Sequence, residues 1–110
     1  MDKTEVIERV KRYSDVVRKN FPVRMVILYG SYARGVAGRN SDIDVAVVLD
    51  NIDEDLLASE AKLFRLRRDI DVRIEPILLE EKNDASGFLA EIIRTGKIIY
   101  AADQKGIKGA

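Results

Sequence analysis

Val23-Arg24-Met25-Val26-Ile27-Leu28-Tyr29-Gly30-Ser31 carries an apolar run into a glycine-serine turn, and Ser41-Asp42-Ile43-Asp44 leads into a second apolar run, Val45 to Leu49. Short apolar runs bounded by turn residues read as buried strands. A glycine-serine turn opening a short helix over Ser31 to Val36 presents backbone N–H groups to a phosphate. Gly35, Gly38 and Asn40 fit the turn that follows. Asp42 and Asp44 occupy alternate positions of a strand, so both carboxylates project from one face of the sheet. The pattern predicts a phosphate cradle beside an acidic pair.

Outward from this stretch, Val6, Ile7, Val10, Tyr13, Val16 and Val17 recur at helical spacing between Thr4 and Asn20, and Pro22 ends that helix. After Leu49, Asp53 or Asp55 can cap a helix running to about Arg68, with Leu56, Leu57, Ala61, Phe64 and the stem of Arg68 as its inner face. Ile70, Val72 and Ile74 alternate with Asp71, Arg73 and Glu75, which predicts a strand over Ile70 to Leu79. Pro76 assigns that strand to an edge or breaks it. A last helix, about Ser86 to Arg94, is closed by Gly96 as a C-terminal glycine cap, with Phe88, Leu89, Ile92 and Ile93 as core; Lys97 to Ala101 adds a short strand. The expectation is an α/β protein of the α+β type: one domain over residues 1–102, a small mixed sheet of three to four strands flanked by helices, and a mobile tail over 103–110.

A length of 110 residues fits one modest core. Lys plus Arg equals Asp plus Glu at 19 each, so the net field attracts neither nucleic acid nor membrane in bulk, and phosphate binding must be local. With no cysteine or histidine, thiolate and imidazole chemistry is excluded and carboxylates remain. No apolar stretch approaches the roughly 20 residues of a membrane span, and the amino-terminal residues lead into a charged helix, so the expected location is cytoplasmic.

If the strands ending at Gly30 and beginning at Asp42 are neighbours, they run antiparallel, with turn and carboxylates at one end of the sheet. A helical crossover returns the next strand parallel to the second, beginning at that same end. This picks out Asp71 as a third carboxylate and leaves Glu75 about 13 Å further along, out of range. Two carboxylates about 5 Å apart repel by roughly 3 kcal/mol at an effective dielectric near 20. A divalent cation turns that repulsion into a binding site, and all-oxygen ligands favour Mg²⁺ or Mn²⁺. Paired metals can activate an attacking hydroxyl and stabilise a leaving phosphate oxygen, as nucleotidyl transfer requires.

Gly30-Ser31-Tyr32-Ala33-Arg34-Gly35 followed by Ser41-Asp42-Ile43-Asp44-Val45 resembles the signature of the polymerase-β nucleotidyltransferase superfamily, and the layout is similar to its minimal nucleotidyltransferase (MNT) branch over about Phe21 to Tyr100. The resemblance implies the nucleotidyltransferase fold, with Gly30 and Ser31 binding the triphosphate of ATP or another NTP. It implies Asp42 and Asp44 binding two Mg²⁺ ions, and a third carboxylate on a later strand. That third position falls on Asp71, with Asp69 and Glu75 as competitors. It further implies AMP transfer from ATP to a hydroxyl on a partner of the HEPN toxin type, the chain acting as antitoxin; the rival reading is a degenerate antitoxin or assembly subunit that works by binding alone.

Arg34 and Arg39 are candidates to steer triphosphate, against the plainer reading of solvated arginines. Tyr32 is expected to pack beneath the turn. Lys62, Arg65, Arg67 and Arg68 read as a charged outer helix face, with no clear nucleic-acid surface. Few residues remain beyond sheet and helices, so the acceptor surface is expected from another protein, in a homo- or hetero-oligomer.

Overall fold

The helix α1 (Lys3–Asn20) starts on a capping box, in which the Asp2 carboxylate accepts from the Glu5 amide and the Glu5 carboxylate from the Asp2 amide. In this computed structural model, which describes residues 2–38, 40–52 and 55–102, seven further elements follow. They are β1 (Val23–Tyr29), α2 (Ser31–Arg34), β2 (Ile43–Leu49), α3 (Leu56–Leu66), β3 (Ile74–Glu80), α4 (Phe88–Thr95) and β4 (Lys97–Ala101). The strands form one mixed sheet in the order β3-β2-β1-β4. β1 lies antiparallel to β2 and β4, and β2 lies parallel to β3, as the crossover argument requires. Pro76, which has no amide to donate, sits in β3 at the sheet edge.

Both faces of the sheet are covered, which is why β1 and β2 read as near-continuous apolar runs. On one face Val26, Leu28, Ile43, Val45, Val47 and Ile74 meet the α1 stripe of Val6, Val10, Tyr13 and Val17, together with Leu63 of α3. The fully buried Tyr13 hydroxyl donates to the Leu63 carbonyl at 2.7 Å, joining α1 to α3. On the other face Ile27, Ala46 and Val48 meet Leu89 and Ile92 of α4. No helix among the described residues is long and apolar enough to cross a membrane.

Several local expectations are corrected. α3 turns Ser59 and Leu63 inward, while Leu56, Leu57 and Phe64 are exposed. Leu63, with Leu66 packed partly against the same core, anchors the helix, and Tyr13 bonds it from α1. Phe88 and Ile93 are likewise exposed, leaving Leu89 and Ile92 as the buried pair of α4. Gly96 follows α4 with extended backbone and not in the left-handed region; a Cβ there would stand 2.7 Å from both the Ile92 and Leu28 carbonyls, so close approach of β1 demands the glycine. β3 starts at Ile74, four residues later than the alternation predicts. Ile70 and Asp71 donate to the Arg67 carbonyl as a turn, and Val72 is 65% exposed. Asp55 caps α3 through the Leu57 and Ala58 amides. Asp53, Arg39 and the expected tail 103–110 lie outside the described residues.

Candidate active site

The apolar run of β1 delivers Gly30 at the end of the sheet with φ +77°, a conformation L side chains rarely adopt. A Cβ there would collide with the Asp44 carboxylate, so the missing side chain of Gly30 is the space Asp44 occupies. The turn and the acid are therefore in direct contact. Gly30 precedes α2 without a side-chain cap, which leaves the leading amide groups of Ser31–Arg34 without that acceptor. Tyr32 is buried beneath the turn, as expected. Gly35, at φ +76°, ends the turn with its amide directed to the Ser31 and Tyr32 carbonyls.

The register places Tyr29 opposite Asp44 and Asp44 opposite Glu75, a row of three residues across three strands. Their neighbours Ile27, Ala46 and Ile77 belong to the α4-facing cluster, so alternation turns the row to that face. Exposed Asp42 stands one step outside it. Partial burial raises the Asp44 pKa, the charges of Asp42 and Glu75 raise it further, and Arg34 opposes them. Burial, Asp44 and Glu75 together push the Tyr29 phenol up to about 12, so it stays a neutral donor. Glu75 also lies against the Arg67 guanidinium at 3.4 Å, and Arg67 donates to the Ile74 carbonyl at 2.7 Å. The acids form an open row: among the described residues no three are gathered tightly enough to enclose an ion.

Asp71 is not brought to this row, and the expected juxtaposition with Asp42 and Asp44 is corrected. Its side chain is only 4% exposed, with Arg9 at 2.8 Å and Arg73 at 2.7 Å on its Oδ2. Burial alone would raise its pKa, but bonds from the Arg73 side chain and amide and from Arg9 outweigh burial and hold it below the carboxylate range. The cause is the late start of β3, which leaves Asp71 in the preceding turn and carries Glu75 up to Asp44. Strand geometry set Glu75 out of range and left it only a competitor for the third position, although Ile74-Glu75-Pro76 repeats the apolar-acid-apolar opening of Ile43-Asp44-Val45. Asp69, the other competitor, is exposed in the turn after α3.

A cleft of about 350 Å³ adjoins the row, lined by Tyr29, Gly30, Arg34, Phe88, Glu91, Ile92 and Thr95. Phe88 meets Tyr29 edge to face at 5.7 Å. A larger cavity of about 620 Å³, lined by Arg18, Phe21, Arg24 and Tyr100 among others, opens at the other end of β1 and lacks an acidic row. There Arg18 stacks on the Tyr100 ring at 3.8 Å. Chemistry, and not size, selects the smaller cleft.

The family described as polymerase beta, nucleotidyltransferase matches residues 11–105. Protein adenylyltransferase MntA of Shewanella oneidensis is 31% identical over 94 residues, which cover 81% of this chain and 63% of MntA, so the chain spans less than two-thirds of that relative. A solved structure from Sulfolobus solfataricus assigned as a nucleotidyltransferase superposes with a TM-score of 0.67 at 23% identity, over 91% of this chain and 84% of the other. The complex of tri-AMPylated HEPN toxin with MNT antitoxin from S. oneidensis matches with a TM-score of 0.60 at 19% identity, over 93% and 77%. At these identities the structural likeness establishes the fold.

Proposed function

This chain belongs to the polymerase-β nucleotidyltransferase family, and from that premise we propose that it transfers AMP from ATP to a hydroxyl of a partner protein of the HEPN toxin kind, as an antitoxin. The observation that carries the proposal is the contact between Gly30 and Asp44, which sets an uncapped turn of amides against an acidic row. The Ser31 and Tyr32 amides and the Arg34 guanidinium would hold the β- and γ-phosphates. Asp42 and Asp44, with Glu75 beside them, would give Mg²⁺ part of its oxygen ligands and the triphosphate the rest; a cation there would offset the charges of Asp42 and Glu75 on Asp44. When bound, such ions lower the pKa of the acceptor hydroxyl and neutralise the leaving pyrophosphate. The acceptor oxygen bonds to the α-phosphorus as the bond to the β-phosphate oxygen breaks, releasing pyrophosphate and the hydroxyl proton. Neutral Tyr29, opposite Asp44 in the register, and Phe88 line the cleft beside the row, where the nucleotide would lie. The proposed reaction draws on ATP and Mg²⁺ and would run in the cytoplasm.

The reaction is tested by incubating the chain and its cognate partner with Mg²⁺ and α-labelled ATP. Labelled partner is the expected product, and Asp42→Asn with Asp44→Asn should abolish it. Neutralisation of the partner that survives this double substitution in full would overturn the catalytic reading in favour of binding alone.

A further inference from the structure

We infer that Asp71 is a positioning residue for the carboxylate row, acting from outside it through the backbone of Arg73. Its Oδ1 accepts the Arg73 amide at 2.9 Å and Nε at 3.1 Å, and its Oδ2 accepts Arg73 Nη2 at 2.7 Å and Arg9 Nη1 at 2.8 Å. The Asp71 carbonyl accepts the Ile74 amide at 3.1 Å, and its own amide donates to Arg67. The turn is thus fastened at side chain and main chain alike, with α1 as its anchor.

The consequence appears one residue later. The Arg73 carbonyl accepts the amide of Ile43, the residue between Asp42 and Asp44, at 2.9 Å. This bond starts the parallel β2/β3 ladder, whose register sets Asp44 opposite Glu75. A parallel pair has no hairpin to fix its register, and a slip of one residue would turn Glu75 to the far face. Arg9, Asp71 and Arg73 supply what a hairpin would. Arg67 completes the clamp by holding the Ile74 carbonyl.

The effect on transfer rests on the reading above; the effect on register does not. Asp71→Asn removes the charge both arginines share, and Arg9→Gln loosens the turn while leaving every acid in place. Amide hydrogen exchange on the unliganded chain should show about tenfold faster exchange at Ile43 and Ile74 in both variants, with Ile27 and Val47 within about twofold of the parent. In partner labelling, both variants should lower kcat by about tenfold or more with the KM for ATP within about twofold, since the β1 turn is untouched. Unchanged exchange at Ile43, or kcat per folded molecule equal to the parent, would overturn the inference. So would an Arg9→Gln variant indistinguishable from the parent beside an inactive Asp71→Asn, the outcome if Asp71 were itself a metal ligand. Absence of transfer by the parent chain with the exchange result intact would sink the proposed reaction and leave the clamp standing.

Discussion

Gly30 carries two constraints at once, a backbone that disfavours side chains and an Asp44 carboxylate in the space a methyl group would need. Gly30→Ala should therefore lose about 1–3 kcal/mol of stability in denaturant unfolding. Gly35→Ala has only the positive φ to overcome, with open space around it, and should cost less. Asp44 gives a prediction of opposite sign. A carboxyl whose pKa is raised on folding contributes stability below its unfolded pKa and loses it as the pH climbs through the folded value. At pH 7 without divalent cations, Asp44→Asn should hence unfold at a higher temperature than the parent, and the gain should vanish toward pH 3. A lower melting temperature at pH 7 would show that the row does not strain the free protein. Gly30, Asp42 and Asp44 were legible because each is a local signal, a turn glycine and a two-residue alternation. Glu75 was legible only as a competitor to Asp71, because its place depends on where a strand begins, and an exposed Val72 inside a turn imitates the alternation of a strand.

At the scale of elements, the order of strands and helices along the chain and the antiparallel β1/β2 and parallel β2/β3 pairings could be read from apolar runs and connection lengths, and Pro76 pointed to an edge or a break; the pairing of β4 with β1 could not be read. Which face of α3 packs could not. Leu56, Leu57 and Phe64 offer a plausible apolar face, and the choice of Ser59 and Leu63 instead is made by Tyr13 across the core. Tyr13→Phe keeps the ring and leaves the buried Leu63 carbonyl without its donor, so it should cost about 1–2 kcal/mol in equilibrium unfolding. Gly96 is a second tertiary demand hidden in a local residue. Gly96→Ala should push the α4 end from β1 and lower stability by about 1–3 kcal/mol, read as a shift in denaturant midpoint and as faster amide exchange at Ile98. A change below 0.5 kcal/mol would mean that the two carbonyls yield without cost.

For the whole molecule, the sheet divides its labour by face. One face is closed by α1 and α3 around the main core; the other is covered by α4, with Tyr29, Asp44 and Glu75 at its end. With equal numbers of basic and acidic residues, attraction of a polyanion by net charge is absent, so the nucleotide recognition proposed above would rest on a few groups at the sheet end. In the proposed function, Gly30, Asp42 and Asp44 form one site for a metal–nucleotide pair. Calorimetric titration of the chain with a non-hydrolysable ATP analogue in Mg²⁺ tests it most directly. Saturable binding should appear, disappear on chelation and weaken at least about tenfold, or 1.4 kcal/mol, in the Asp42→Asn, Asp44→Asn variant. Equal binding by the folded variant, or no heat from the folded parent, would contradict it.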